Sequence, residues 1–244
     1  MSDALEGFAL TRADALFVDF DGTLAEIRPD PGSVCLPPEA EAALLALLDR
    51  LGGAVAVITG RSLRDLAKRT PDRLWRAGTH GLEQAAPGAP LPPPLPDAPA
   101  ALLAPFRPVE QAFEGTWLEV KGPAAAFHYR SAPEAEARGL AAAEEAAAAV
   151  PGYVVQPGKM IVEVKPEGAN KGVALRRMAS EAPFAGRRVV MIGDDRTDED
   201  AFAAAQALGG IAVKIGPGPT AATLRAPDPT ALRAWLRAQA ERLS

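Results

Sequence analysis

Short apolar runs alternating with longer amphipathic stretches set the frame of this 244-residue chain. Ala15-Leu16-Phe17-Val18 is too short for a helix and runs without interruption into Asp19-Phe20-Asp21-Gly22-Thr23-Leu24. Such a run predicts a central strand covered on both faces. From Pro38 to Leu51, Leu44, Leu45, Leu47, Leu48 and Leu51 recur at helical spacing, and Gly52-Gly53 stops the pattern. Ala54 to Ile58 reads as a second buried strand, after which Ser62 caps a helix reaching about Lys68. A third apolar stretch, Leu74 to Ala77, leads into Gly78-Thr79-His80-Gly81-Leu82-Glu83. Strand, helix, strand, helix is the doubly wound α/β pattern.

Beyond residue 87 the texture changes. Pro87 to Pro99 carries seven prolines and predicts a stiff surface loop or hinge. Residues 116–121 and 125–130 then read as adjacent strands joined at Gly122-Pro123. An Ala-rich helix at about 133–149 and strands near 153–156 and 160–165 follow. Two strands, a helix and two strands predict a small antiparallel sheet with helices on one face. After Pro166-Glu167-Gly168 the first pattern resumes. Asn170 caps a helix starting at Lys171, Val189 to Ile192 is a buried strand ending in Gly193-Asp194-Asp195, and a helix spans about Thr197 to Leu208. A strand at Ile211 to Ile215 and a helix from Pro229 to about Arg242 close the chain. The expected architecture is a Rossmann-like, doubly wound parallel-sheet core, residues 1–101 and 167–244, interrupted by an α+β cap domain, residues 102–166.

Composition narrows the classes. With 48% hydrophobic and 23% charged residues the chain has ample material for a core. A net charge of −5 and the lack of a basic run argue against nucleic acid or an anionic membrane as partner. No apolar run approaches a membrane span and no signal segment is evident, so a cytoplasmic protein is expected. Cys35 is the single cysteine, which excludes an internal disulfide and reads as a small packed residue.

Chemistry collects at the strand ends. Asp19 and Asp21 leave an extended backbone on the same side, two carboxylates that invite a hard cation and drive each other's pKa values apart. Asp-Gly is equally a turn signal, with the first Asp a solvated strand end. In open α/β sheets, however, ligands bind outside the carboxyl ends of the strands. Asp19, Thr59 and Asp194 all stand at such ends, and Lys171 stands at a helix N-terminus, where free N–H groups favour an anion. Taken singly, Thr59 is a capping hydroxyl and Lys171 a solvated charge. Together they suit a phosphate ester with Mg²⁺, a cation that takes one or two carboxylates plus substrate phosphate. Such an ion would let a carboxylate attack phosphate, with Thr59 and Lys171 holding the phosphoryl oxygens.

Asp19-Phe20-Asp21-Gly22-Thr23, Thr59, Lys171 and Gly193-Asp194-Asp195-x-Thr197-Asp198 resemble, in order, the four motifs of the haloacid dehalogenase superfamily of phosphatases. The resemblance implies Asp19 as nucleophile and Asp21 as general acid, then base. It implies Mg²⁺ held by Asp19, the Asp21 carbonyl and Asp194, with Asp195 and Asp198 in support and Asp198 nearer the metal.

The insert narrows the resemblance. By strand parity Trp117, Glu119 and Lys121 share a face, as do His128 and Arg130, and Lys159, Ile161, Glu163 and Lys165. A polar face on an antiparallel sheet is ordinarily just solvated. Acid, base and aromatic groups together suit a polyhydroxyl ligand better, and closure of this face over the crevice would exclude water. Gly78-Thr79-His80-Gly81-Leu82-Glu83, Glu119-Val120-Lys121, His128-Tyr129-Arg130 and Gly158-Lys159-Met160-Ile161-Val162-Glu163-Val164-Lys165-Pro166 resemble the trehalose-6-phosphate phosphatase family. That resemblance implies Mg²⁺-dependent hydrolysis of trehalose 6-phosphate to trehalose and phosphate in trehalose biosynthesis, and a monomer is expected. It implies substrate binding by Gly60, Arg61, His80, Gly81, Glu119, Lys121, His128, Arg130 and Glu163. Another sugar phosphatase, a phosphohexomutase, or a silent sugar-phosphate-binding domain would share much of this pattern.

Overall fold

A computed structural model describes residues 3–158 and 160–244. The chain divides into two compact units, one running to Pro92 and resuming over Gly168–Ser244, the other Pro93–Glu167. In the first unit lie β1 (Asp3–Ala4), β2 (Asp14–Val18), α1 (Pro38–Arg50), β3 (Val55–Ile58), α2 (Leu63–Ala67), β4 (Trp75–Gly78) and β5 (Glu83–Ala85). The second holds α3 (Ala100–Leu103), α4 (Arg107–Ala112), β6 (Trp117–Lys121), β7 (Ala124–His128), α5 (Glu136–Ala149), β8 (Tyr153–Gly158) and β9 (Ile161–Pro166). The first unit resumes with α6 (Lys171–Ala179), β10 (Arg188–Gly193), α7 (Glu199–Ala207), β11 (Ile211–Ile215), β12 (Leu224–Ala226) and α8 (Pro229–Arg242).

The first unit is built on one sheet of order β1-β12-β11-β10-β2-β3-β4-β5, parallel except where β5 runs antiparallel to β4. Every residue of β2 and β3 is buried, which is why both read as uninterrupted apolar runs. Phe17 packs on Phe184, ring centroids 4.9 Å apart, within a core that continues through Leu44, Leu47, Val190 and Leu236. Adjacent parallel strands β10, β2 and β3 end together, so residues just beyond them are neighbours although distant in sequence.

The second unit pairs β6-β7-β9-β8 throughout antiparallel. Its separate core gathers Leu102, Phe106, Phe127, Val162 and Val164 with Ala142 and Ala146 of α5. Leu102 and Phe106 come from α3 and the 3₁₀ turn after it, too short to show helical periodicity in the sequence. The compact unit starts at Pro93, and Ala98 joins the same core ahead of residue 102. Residues 87–99 form no helix or strand.

Two local expectations change. β7 stops at His128, leaving Arg130 exposed in a turn instead of on the strand face. Cys35 is exposed, because an extended segment that buries Val34 and Leu36 turns the residue between them outward.

Candidate active site

The β2 ladder continues one residue past its last strand position, where the Asp19 N–H donates to the Ile192 carbonyl at 2.9 Å. This fixes Asp19 beside the end of β10, buried with 4% exposure. Lys171 opens α6, and the Asn170 side chain caps that helix by accepting the Gly172 and Val173 N–H groups. From there Lys171 Nζ donates to Asp19 Oδ1 at 2.6 Å and to Asp198 Oδ1 at 2.7 Å. Asp198 Oδ2 accepts the main-chain N–H groups of Asp194 and Asp195 at 3.1 and 3.0 Å. Asp198 Oδ2 thus shapes the turn after β10 while Oδ1 holds Lys171.

Asp194 faces the first motif. Thr23 Oγ1 donates to Asp194 Oδ1 at 3.3 Å, and the carboxylate lies where a Cβ on Gly22 would fall. Gly22 also has φ of 76°, so both its conformation and its neighbour exclude a side chain. Asp21 is held differently. Arg61 Nε and Nη2 grip its two oxygens at 2.6 Å each, while Arg61 Nη1 donates to Asp65 at 2.7 Å and Nη2 also donates to the Pro31 carbonyl. Thr59, 1% exposed, accepts the Arg61 N–H on its hydroxyl at 3.2 Å, leaving the hydroxyl proton for another acceptor.

The segment after β4 completes the group. The His80 N–H donates to the Thr59 carbonyl at 2.9 Å, and the His80 ring sits against Gly60, where a Cβ would meet it. Thr79 and His80 have positive φ, 47° and 53°, a conformation costing non-glycine residues on the order of 1–3 kcal/mol each. Buried Glu83 braces them by accepting the Thr79 hydroxyl at 2.7 Å and the Leu63 N–H at 3.0 Å. Gly81 packs against Ala174 of α6, and its carbonyl accepts Arg177 at 2.7 Å. Asp19, Asp21, Thr59, Gly60, Arg61, His80, Gly81, Lys171 and Asp194 thus form one continuous chain of contacts in the first unit.

The electrostatics are those of crowded acid. Burial, and then the Asp198 and Asp194 charges, push the Asp19 carboxyl well above its usual range even though Lys171 pulls it down. Burial together with Asp198 and Asp195 raises Asp194 to about 6. Burial would lower Lys171, but Asp19 and Asp198 more than offset it and raise the ammonium's pKa. Asp19, Asp194 and Asp198 each offer an oxygen within 4.8 Å of the others. A divalent cation fits this set. Its donors are all carboxylate oxygens, and the Asp19 and Asp194 charges repel each other.

A pH dependence follows. Because both carboxylate pKa values are raised, their ionisation destabilises the metal-free fold, and stability falls as pH climbs from about 4 toward 6. A cation binds the ionised form, so Mg²⁺ should raise the melting temperature more at pH 7.5 than at pH 5. Equal increments in calorimetry at the two pH values would contradict this.

The second unit carries its own polar cluster. Glu119 Oε2 lies 3.0 Å from His128 Nε2 and 3.1 Å from Lys121 Nζ. Glu163 is half-buried on β9, paired with Ala126 and Gln156. Lys159 lies outside the described residues.

Two contributors carry no motif. Lys214, buried on β11, donates to the Asp194 and Ile215 carbonyls and so steadies the acidic turn from behind. A lone lysine inside the apolar run Ile211–Ile215 was the signal for it. Asp65, which shares the Arg61 guanidinium, reads in the sequence only as a first-turn acid of α2.

A doubly wound sheet with a carboxylate, a hydroxyl and a second acid at its strand ends, met by a lysine from the first turn of α6, has the haloacid dehalogenase-like fold. A haloacid dehalogenase-like hydrolase from Bacteroides thetaiotaomicron superposes with a TM-score of 0.64 at 13% identity, over 95% of this chain and all of that one. The Aspergillus fumigatus trehalose-6-phosphate phosphatase superposes with a TM-score of 0.72 at 24% identity, covering 96% of this chain and 98% of that one. The family model for trehalose-phosphatase matches residues 17–229. The trehalose-6-phosphate phosphatase of Escherichia coli K12 is 41% identical over 91% of this chain and 85% of its own length. The chain belongs to the trehalose-phosphatase family.

Proposed function

We propose that this chain hydrolyses trehalose 6-phosphate to trehalose and phosphate through an aspartyl-phosphate on Asp19. The observation that carries the reading is the buried Asp19–Lys171–Asp198 bridge at the end of β2, in which one ammonium holds the carboxylate and a second acid. A Mg²⁺ ion held by Asp19, Asp194 and the Asp21 carbonyl would offset the charge between phosphate and incoming carboxylate.

Asp19 attacks phosphorus, and the bond from phosphorus to the sugar oxygen breaks. Lys171 and the Thr59 hydroxyl hold phosphoryl oxygens as charge moves onto them. Asp21 gives its proton to the leaving sugar oxygen. It then takes one from the water that attacks phosphorus, freeing phosphate and restoring Asp19. Arg61 donates one N–H to each Asp21 oxygen, which fixes the carboxyl plane and leaves each oxygen a lone pair at which a proton can be held. Recognition of the sugar falls to Glu119, Lys121, His128 and Glu163 on the polar face of the second unit.

Acid quench and borohydride reduction during turnover of trehalose 6-phosphate should convert Asp19 to homoserine, located by peptide mass spectrometry. Trapping at another residue, or none at steady turnover, would rule out the aspartyl-phosphate route.

A further inference from the structure

We propose that Trp117 is the stacking platform for a glucose ring of the substrate and a determinant of which phosphate esters are used. The inference rests on the trehalose 6-phosphate reading above. Trp117 opens the edge strand β6 and is directly paired with His128 of β7. Their rings lie parallel, centroids 3.9 Å apart and planes within 2°. The imidazole thus covers one face of the indole, yet Trp117 remains 49% exposed, whereas Trp235 is 7% exposed.

Trp117 is not part of the second unit's core, and its indole lies on the sheet face that also carries Glu119 and Lys121. The ring is also held in place. His128 Nε2 is 3.0 Å from Glu119 Oε2, and Lys121 anchors that same oxygen at 3.1 Å, so the plane of the stack is fixed before any ligand arrives.

The surroundings match a sugar. Trp117, Glu119 and Lys121 alternate onto one sheet face. Glu119 pairs with Ala126, which pairs on its other side with Glu163. Two carboxylates therefore flank a residue with no bulk beyond Cβ, across two strand spacings of roughly 10 Å in total. A pyranose has an apolar C–H face and a rim of hydroxyls. An aromatic ring packs on the first, and carboxylates accept from the second. An indole beside two acids offers both.

Trp117→Leu should lower the discrimination between trehalose 6-phosphate and acetyl phosphate, which has no ring to stack, by about tenfold, mainly through KM. Trp117→Phe should restore most of it. Circular dichroism would establish that each variant is folded. In the Asp19→Asn background, trehalose 6-phosphate should change tryptophan emission, and the change should vanish when Trp117→Phe is added. Unaltered discrimination in Trp117→Leu, or an emission change that survives Trp117→Phe, overturns the inference. A wild type with no preference for trehalose 6-phosphate removes the functional reading and this inference together. Preference intact in both wild type and Trp117→Leu removes this inference alone.

Discussion

Asp19→Asn should reduce turnover of trehalose 6-phosphate by on the order of 10⁴ or more, the scale seen when a nucleophile is removed from a preorganised site. The amide is nearly the shape of the carboxylate but is no nucleophile toward phosphorus. The fold should survive. Asp19 sits with 4% exposure against Asp198 and Asp194, and its ionised form is opposed by burial and by both neighbours. A neutral replacement relieves that repulsion, while Lys171 keeps Asp198 as a partner. The metal-free variant should therefore melt no lower than the wild type at pH 7.5, and borohydride trapping at position 19 should disappear. Turnover within tenfold of wild type would require a different nucleophile.

Lys171→Met should be costly in both activity and stability. The ammonium is 3% exposed and joins Asp19 to Asp198 at 2.6 and 2.7 Å. Its loss leaves two buried carboxylates without their cation, which costs about 3–5 kcal/mol. At about 2–4 °C per kcal/mol for a protein of this size, the metal-free variant should melt about 10 °C lower at pH 7.5. The direction with pH is fixed. Without Lys171 the already raised Asp19 carboxyl is pushed up further, so stability is lost as pH rises and recovered as pH falls and the acid protonates. The melting deficit should shrink at pH 5. Turnover should fall by about 10²–10³, since a donor aimed at the phosphoryl oxygens is gone. A deficit independent of pH, with turnover retained, would show Lys171 to be a packing residue only.

Strands covered on both faces announce themselves as unbroken apolar runs, so β2, β3, β10 and β11 were legible from hydrophobicity alone. Parallel pairing then placed Asp19, Thr59 and Asp194 at neighbouring strand ends. What escaped depended on contacts between distant segments. The three-residue strands β5 and β12 are too short to carry a period. α3 and α4 exist because Leu102 and Val109 fill a core that no local pattern reveals. The Arg61 grip on Asp21 joins residues 40 apart, and neither the ordered motifs nor helical spacing predicts it. Gly22 was legible as a turn residue, whereas the Asp194 carboxylate pressed against it was not. At His128 the strand ended earlier than alternation suggested: Tyr129 still points inward and donates its hydroxyl to Glu136 at 3.2 Å, but its carbonyl accepts the Ala132 N–H in a turn that carries Arg130 into solvent.

Phosphate release should be measured side by side, with Mg²⁺ present, from trehalose 6-phosphate, sucrose 6-phosphate, glucose 6-phosphate and mannose 6-phosphate. A kcat/KM for trehalose 6-phosphate at least about a hundredfold above each of the others is expected where hydroxyl-accepting acids and an aromatic platform meet a glucose ring. Comparable rates on all four would contradict it.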